Sequence, residues 1–392
     1  MKIELKPLGE QVVVITGASS GIGLATARQA ARRGARVLLI AREETDLQRV
    51  TSEITGIGGQ AIYAVADVAD FDALSRAAQK AVDQWGGIDA WINDAGVSIY
   101  GEIRDVPVED ARRLFDTNYW GVVNGSLVAL PHLERRGGGA LVNVGSTLSD
   151  RAIPLQGHYS ASKHAVKGFT DTLRMELEKK GTPVSVTLVK PGAIDTPYPQ
   201  HARNYMNAEP KHPAPVYAPD VAADAILFCL EHPRRDITVG AGGKLIGVLG
   251  LTPRLADKYM EATQFEAQKR NDRPADTERP DTLYEPVPNS GRLRGDQPGH
   301  VASMSVYTTV SKHPIAALVG VAAVGAAIAL VGTGRRRGKK QQDAAADGAS
   351  VSPRFGARDV AGDGRPPVSA AALTIDPTAT ATTDTALNVE IL

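Results

Sequence analysis

Tyr159 and Lys163 stand four residues apart, so on a helix they share one face. A free phenol, with a pKa of about 10, is a poor acid–base group at neutral pH. A nearby ammonium favours the phenolate and moves the phenol toward working pH. Ser146, thirteen residues before the tyrosine, carries a hydroxyl able to donate to a substrate oxygen as charge forms on it. Far upstream, Thr16-Gly17-Ala18-Ser19-Ser20-Gly21-Ile22-Gly23 follows an apolar run and opens a helical pattern. Glycines in such a turn bring the main chain up to a pyrophosphate, and the helix offers it free N–H groups and a positive dipole end.

These groups need a scaffold. Apolar β-type runs recur at 11–16, 36–41, 60–66, 88–93, 140–145, 184–190 and 236–240. Helix-length stretches separate the first six, and 21–33 and 70–85 show helical spacing of apolar positions. Strands alternating with helices mean βαβ units and a parallel sheet. Continuous apolar strands such as VVVIT and VLLIA imply burial on both faces, as in a doubly wound α/β sheet. The expected fold is a doubly wound seven-stranded parallel sheet in one domain, residues 1–270.

The chain of 392 residues balances 44 basic against 44 acidic side chains, which argues against a nucleic-acid partner. The single cysteine, Cys229, excludes an intramolecular disulfide and a cysteine zinc cluster. His158, His201 and His212 fit no metal-ligand spacing, so no metal is expected. The first apolar run, 12–15, is far too short for a signal peptide.

In this order the motifs resemble the short-chain dehydrogenases/reductases, specifically the compact branch with a TGxxxGxG turn, over about residues 8–260. Beyond the Gly-rich turn the matches are Asp67, Asn93-Asp94-Ala95-Gly96, Asn118 in the next helix, Ser146, Tyr159-x-x-x-Lys163 and Pro191-Gly192-x-Ile194-x-Thr196. The family usually carries a second Asn where this chain has Asp94, a departure expected to matter little. The resemblance implies a Rossmann fold and an oxidoreductase interconverting an alcohol and a carbonyl with a nicotinamide cofactor. It makes Tyr159 the acid/base, gives Lys163 a second task on the nicotinamide ribose, and assigns Asn118 a water in the proton relay. It also implies that the cofactor lies on Gly17, Ser19, Ser20, Gly21, Ile22 and Gly23. Asp67 and Val68 then meet the adenine, Asn93 holds the fourth strand in register, and Ala95 and Gly96 lie under the cofactor. Pro191, Gly192, Ile194 and Thr196 flank the carboxamide. Family members commonly pair through the helices after the fourth and fifth strands, which implies a homodimer or homotetramer.

An NAD site usually ends its second strand in a carboxylate. Here that strand ends Ile40-Ala41-Arg42, and a cation suits a 2′-phosphate, so NADP is expected over NAD. The other reading gives the ribose to Glu43. The substrate loops hold Ser98, Ile99, Tyr100, Leu148, Ile153, Leu155 and the long Pro-rich segment 197–217, which reads as a lid over a hydrophobic alcohol or ketone.

The C-terminal third reads differently. Residues 271–300 hold five prolines and few aliphatic residues, so 271–310 reads as a linker. The uncharged run 315–331, within an expected membrane helix at 311–334, would be about 25 Å long as a helix and is followed by the basic cluster 335–340. The expectation is a cytoplasmic catalytic domain associated with the membrane through this run and the cluster, with a disordered tail to residue 392. The positive-inside rule would place the basic cluster in the cytoplasm too, so a single span conflicts with a cytoplasmic catalytic domain. Two rivals remain from the sequence: a non-catalytic NADP(H)-binding sensor and a membrane adaptor.

Overall fold

The run Val-Val-Val-Ile-Thr at 12–16 is buried at every position, and its side chains divide by parity. Val13 and Ile15 join one core, Val12 and Val14 the other. A strand with both faces covered has no polar side, which is why the apolar run is unbroken. Each such side chain contributes about 1.5–3 kcal/mol of transfer free energy.

A computed structural model describes residues 3–240, 252–276 and 278–312. Strands β1 (Val12–Thr16), β2 (Arg36–Ala41), β3 (Gln60–Val65), β4 (Ala90–Asn93), β5 (Gly139–Val144), β6 (Val184–Pro191) and β7 (Asp236–Val239) form one sheet. Their order is β7-β6-β5-β4-β1-β2-β3, and all neighbours are parallel. The helices are α1 (Gly21–Arg32), α2 (Glu44–Gly56), α3 (Phe71–Trp85), α4 (Val108–Phe115), α5 (Gly121–Arg135), α6 (Gly157–Lys180) and α7 (Pro219–Glu231). Two more follow, α8 (Pro253–Ala267) and α9 (Val306–Lys312). α1 packs on α7 over one face of the sheet, and α3 packs on α5 over the other. The expected seven-stranded doubly wound fold is therefore the observed one.

β1 sits between β2 and β4, where the strand order reverses. Crossovers from this point leave in opposite directions, so a crevice opens at the carboxyl ends of the strands. Register is pinned inside the sheet: Asn93 of β4 faces Asn143 of β5, and Asn93 Nδ2 donates to Asn143 Oδ1 at 2.8 Å.

One expectation changes and two gain detail. Residues 271–310 do not hang free as a linker. Lys269–Pro274 pairs antiparallel with Ala208–Pro210, Val301–Ala302 pairs with Val216–Tyr217, and Leu283 is fully buried. Composition shows few aliphatic residues there, but main-chain hydrogen bonds and ion pairs such as Arg270–Asp296 and Arg203–Asp281 hold the segment. The loop 197–217 is likewise stitched into these small sheets, and its Arg203–Asn204 pairs with Ile99–Tyr100. Asn118 lies in a π-helical turn, Asp116–Trp120, that joins α4 to α5. The run 315–331, the cluster 335–340 and the tail lie outside the described residues. Among the described residues no helix is long and apolar enough to cross a membrane.

Candidate active site

The turn between β1 and α1 forms the floor of the crevice. Gly17 has φ +71°, and a Cβ there would stand 2.9 Å from the main chain of Ala95. A Cβ on Gly23 would meet the Gly17 carbonyl oxygen at 2.2 Å, so both positions need glycine. Thr16 Oγ1 accepts from the amides of Asp94 and Ala95 at 3.1 and 3.2 Å and so ties this turn to the end of β4.

One continuous cleft of about 1720 Å³, counting its open mouth, runs along these strand ends. It is lined by Gly17, Ser19, Ser20, Gly21, Ile22, Arg42, Asp67, Val68, Ala95, Gly96, Ser146, Tyr159, Lys163, Pro191, Gly192, Ile194 and Thr196. Gly23, Asn93 and Asn118 do not line it. Asn93 sits behind, accepting from Trp91 Nε1 at 2.7 Å. Asn118 is fully buried and brackets Val97, accepting from its amide at 2.8 Å and donating to its carbonyl at 3.0 Å.

At one end of the cleft, Ser146 caps a short turn, its Oγ accepting from the Leu148 amide at 3.0 Å. Helix α6 brings Tyr159 and Lys163 to the same place, with Lys163 Nζ 5.7 Å from the centre of the phenol ring. Lys163 Nζ donates to the Val144 carbonyl at 2.9 Å. The expected lowering of the Tyr159 pKa counts on the oxidised nicotinamide as well as on Lys163, and the protein's own groups work the other way. Burial pushes the phenol up to about 12, against the hydrogen bonds of Tyr198 and Ser146. Burial also brings Lys163 down to about 8, against the opposing pull of Asp94. In a poorly solvated groove the cost of charging each group outweighs the attraction of its neighbours.

Asp94 lies in the floor beside Lys163, accepts from the Gly23 amide, and is raised by burial to about 7. Nothing in its local sequence signals this.

At the other end, Glu43 accepts from the Asp46 amide at 2.8 Å and serves as the N-cap of α2. Arg42 stands at the end of β2. Its Nη1 donates to the Tyr284 carbonyl at 2.7 Å, its Nη2 donates to the Thr282 carbonyl, and Asp67 lies 3.9 Å away. Burial works against the charge of Asp67, but the Ala69 amide and Arg113 hold its carboxyl below the usual range.

Sequence reasoning missed part of the lining. Of the substrate-loop residues, Ser98, Tyr100, Leu148 and Ile153 line the cleft, whereas Ile99 and Leu155 do not. Gln156 adds to that end, and the segment 197–217 brings Tyr198, His212 and Pro213 to it, whereas His201 lies by Ser290 and Asp46 at the Arg42 end. Tyr198 packs edge-on to Tyr159 at 5.5 Å, stacks on His212 at 5.7 Å, and donates to Gln156 Oε1 at 3.0 Å. Tyr100 Oη and His212 Nε2 are buried with no partner among the described residues. Burial takes His212 down to about 4, so its ring is neutral at pH 7. Thr282, Pro286, Val287, Ser290 and Gly291 complete the Arg42 end, from the segment read as a linker. The one sequence signal there was the Leu283-Tyr284 pair in an otherwise polar, Pro-rich stretch.

With this geometry in view, comparisons place the chain among known proteins. The family model described as short chain dehydrogenase matches residues 11–207. An uncharacterized oxidoreductase of Bacillus subtilis, YxnA, is 45% identical over 324 residues, 82% of this chain and 90% of that protein. That alignment is longer than residues 1–270, so the likeness continues into the C-terminal part. A putative oxidoreductase of Mycobacterium tuberculosis, SadH, is 32% identical over 246 residues, 61% of this chain and 89% of that one. Among solved structures, an alcohol dehydrogenase of the archaeon Thermococcus sibiricus complexed with 5-hydroxy-NADP matches with a TM-score of 0.52 at 26% identity. It covers 58% of this chain and 95% of its own.

Proposed function

The chain belongs to the short-chain dehydrogenase family and is an oxidoreductase, and from that premise we propose that it uses NADP(H) to interconvert an alcohol and a carbonyl. One observation carries the reading: Ser146, Tyr159 and Lys163 meet in the cleft floored by the Gly-rich turn. When bound there, the nicotinamide supplies or accepts the hydride. The protein's part is to hold the reacting oxygen and move a proton. Tyr159 gives its proton to the alkoxide in reduction and takes it back in oxidation. Ser146 orients that oxygen by a hydrogen bond and stabilises its charge. Lys163 holds positive charge near the phenol and meets the ribose, and Asn118 supports a proton relay behind it.

NADP is favoured over NAD because Glu43 is engaged as a helix cap, leaving the cation Arg42 at the end of β2. A 2′-phosphate gains from that charge where a carboxylate would repel it. The substrate is a mainly apolar alcohol or ketone. Leu148, Ile153 and Pro213 offer it apolar contact, and Tyr100 Oη and His212 Nε2 offer one polar group a hydrogen bond. The exposed Val108, Trp120, Leu127 and Met175 on α4 to α6 support a homodimer or homotetramer through that face. The run 315–331 and the cluster 335–340 would tether a cytoplasmic catalytic unit to the membrane.

Fluorescence titration with NADPH and NADH side by side tests the cofactor reading, followed by a screen of apolar ketones. Clearly tighter NADPH binding with turnover is the expected result. Preference for NADH sinks the Arg42 argument, and tight binding without turnover on a broad carbonyl panel sinks the enzymatic one.

A further inference from the structure

Residues 281–292 cross the Arg42 end of the cleft between two anchor points. At the first, the Leu283 side chain is fully buried in a cluster with Val97, Ile99 and Leu114. Its carbonyl accepts from Arg113 Nε at 3.1 Å, the carbonyls on either side accept from Arg42, and the Tyr284 hydroxyl donates to Asp110 Oδ1 at 2.8 Å. At the second, the Gly291 amide donates to Asp46 Oδ2 at 2.8 Å and its carbonyl accepts from Arg49 at 2.6 Å. The Arg292 carbonyl accepts from the Gly21 amide, the first of α1, at 2.9 Å. A Cβ on Gly291 would stand 2.6 Å from the Ser19 carbonyl oxygen, so the chain lies directly on the Gly-rich turn.

Between the anchors, Glu285-Pro-Val-Pro-Asn-Ser290 spans the opening, and Pro286, Val287 and Ser290 face the cleft wall. Two prolines stiffen so short a span. The anchors also differ in kind. The second, at Gly291 and Arg292, is made of hydrogen bonds from main chain, the Asp46 carboxylate and the Arg49 guanidinium, which water replaces at small net cost. The first contains an apolar side chain, whose withdrawal exposes hydrocarbon to water.

We propose that residues 281–292 are a strap that completes the cofactor site: the adenosine half of the dinucleotide binds beneath it, and the cofactor is exchanged only when the strap lifts, with Leu283 as the latch. Arg42 then has two tasks, the charge at the end of β2 and the anchoring of the strap. This rests on the reading of the cleft as a nicotinamide dinucleotide site, but not on the choice between NADP and NAD. The strap sets the residence time of whichever cofactor binds.

The test is stopped-flow exchange of NADPH, followed by its fluorescence, on the full-length chain and its Leu283→Ser and Tyr284→Phe variants. Both association and release should quicken, release by about tenfold or more in L283S and by a smaller factor in Y284F. A P286G/P288G variant, which loosens the span and leaves both anchors, should act in the same direction and keeps the experiment decisive if L283S does not fold. Release rates equal to wild type in the folded variants overturn the strap. So does tighter binding after its loosening, which would identify a plug that competes with the cofactor. A wild-type chain that binds neither NADPH nor NADH overturns the cofactor reading and the strap with it, a failure visible before any variant is compared.

Discussion

The two ends of the cleft are assembled in opposite ways. At the Tyr159 end, the three residues proposed as acid/base, its lysine and the substrate-orienting hydroxyl all fall within residues 146–163. One strand end and the first turns of α6 place them, and helical periodicity does the rest. At the Arg42 end, the end of β2 meets a segment some 240 residues further along the chain. The first end owes its geometry to local structure with strong intrinsic order. The second depends on long-range docking, through one buried leucine and a set of hydrogen bonds to charged groups. The difference teaches where each function is vulnerable: chemistry at the first end, cofactor exchange at the second.

Tyr159→Phe gives the sharpest separation of the two ends. Turnover should fall by about 10²–10⁴-fold, the usual worth of a positioned acid–base group, while NADPH titration of the variant still saturates as in wild type. Parallel loss of binding and turnover would show that the ends are not independent.

Asp94→Asn acts beneath the first end and should shift pH dependence. In the folded chain burial lifts the Asp94 carboxyl from its ordinary 3.8 to about 7. Between those values the folded state binds the extra proton, so wild-type stability declines as pH rises through this window. The variant lacks that cost. Its melting temperature relative to wild type should rise from about pH 4 to pH 7 and level off above. Asp94 also opposes the lowering of Lys163, which stands at about 8. Its removal should move the alkaline fall in turnover to lower pH. A pH–rate profile that superimposes on wild type would remove Asp94 from the account.

Glu43→Ala has the smallest expected effect. Loss of a helix N-cap costs about 0.5–2 kcal/mol, read as a lowered denaturant midpoint. The ratio of NADPH to NADH affinity should not change, because Glu43 is the cap of α2. A changed ratio would return the ribose contact to Glu43 and take the choice of cofactor away from Arg42.

Much of the fold was legible in the sequence because strands buried on both faces leave unbroken apolar runs. The expected 36–41 and the observed Arg36–Ala41 coincide, and the other six strands differ by a residue or two at their ends. The Gly-rich turn was equally plain, since only glycine fits where a Cβ would strike the neighbouring main chain. The burial of Asp94 was not legible because it is decided by what folds over the side chain, here α1 and the neighbourhood of Lys163. Residues 271–310 were misread because their composition lacks aliphatic residues. Their order comes from carbonyls and carboxylates meeting arginines on distant elements, such as Arg203 on Asp281 and Arg49 on Gly291.

The sequence by itself determined the parallel sheet, the phosphate-binding turn and the helix face that carries Tyr159 and Lys163. Each follows from local rules: hydrophobic periodicity, glycine sterics and the 3.6-residue turn. Only the tertiary structure decided that Arg42 is held by two carbonyls, that Asp94 lies beneath Lys163, and that a Pro-rich segment crosses the cleft. Those facts depend on which groups meet after the chain has folded back on itself. No local pattern encodes a contact between residues 42 and 282, because hydrogen bonds to main-chain carbonyls make no demand on the side chains that accompany them.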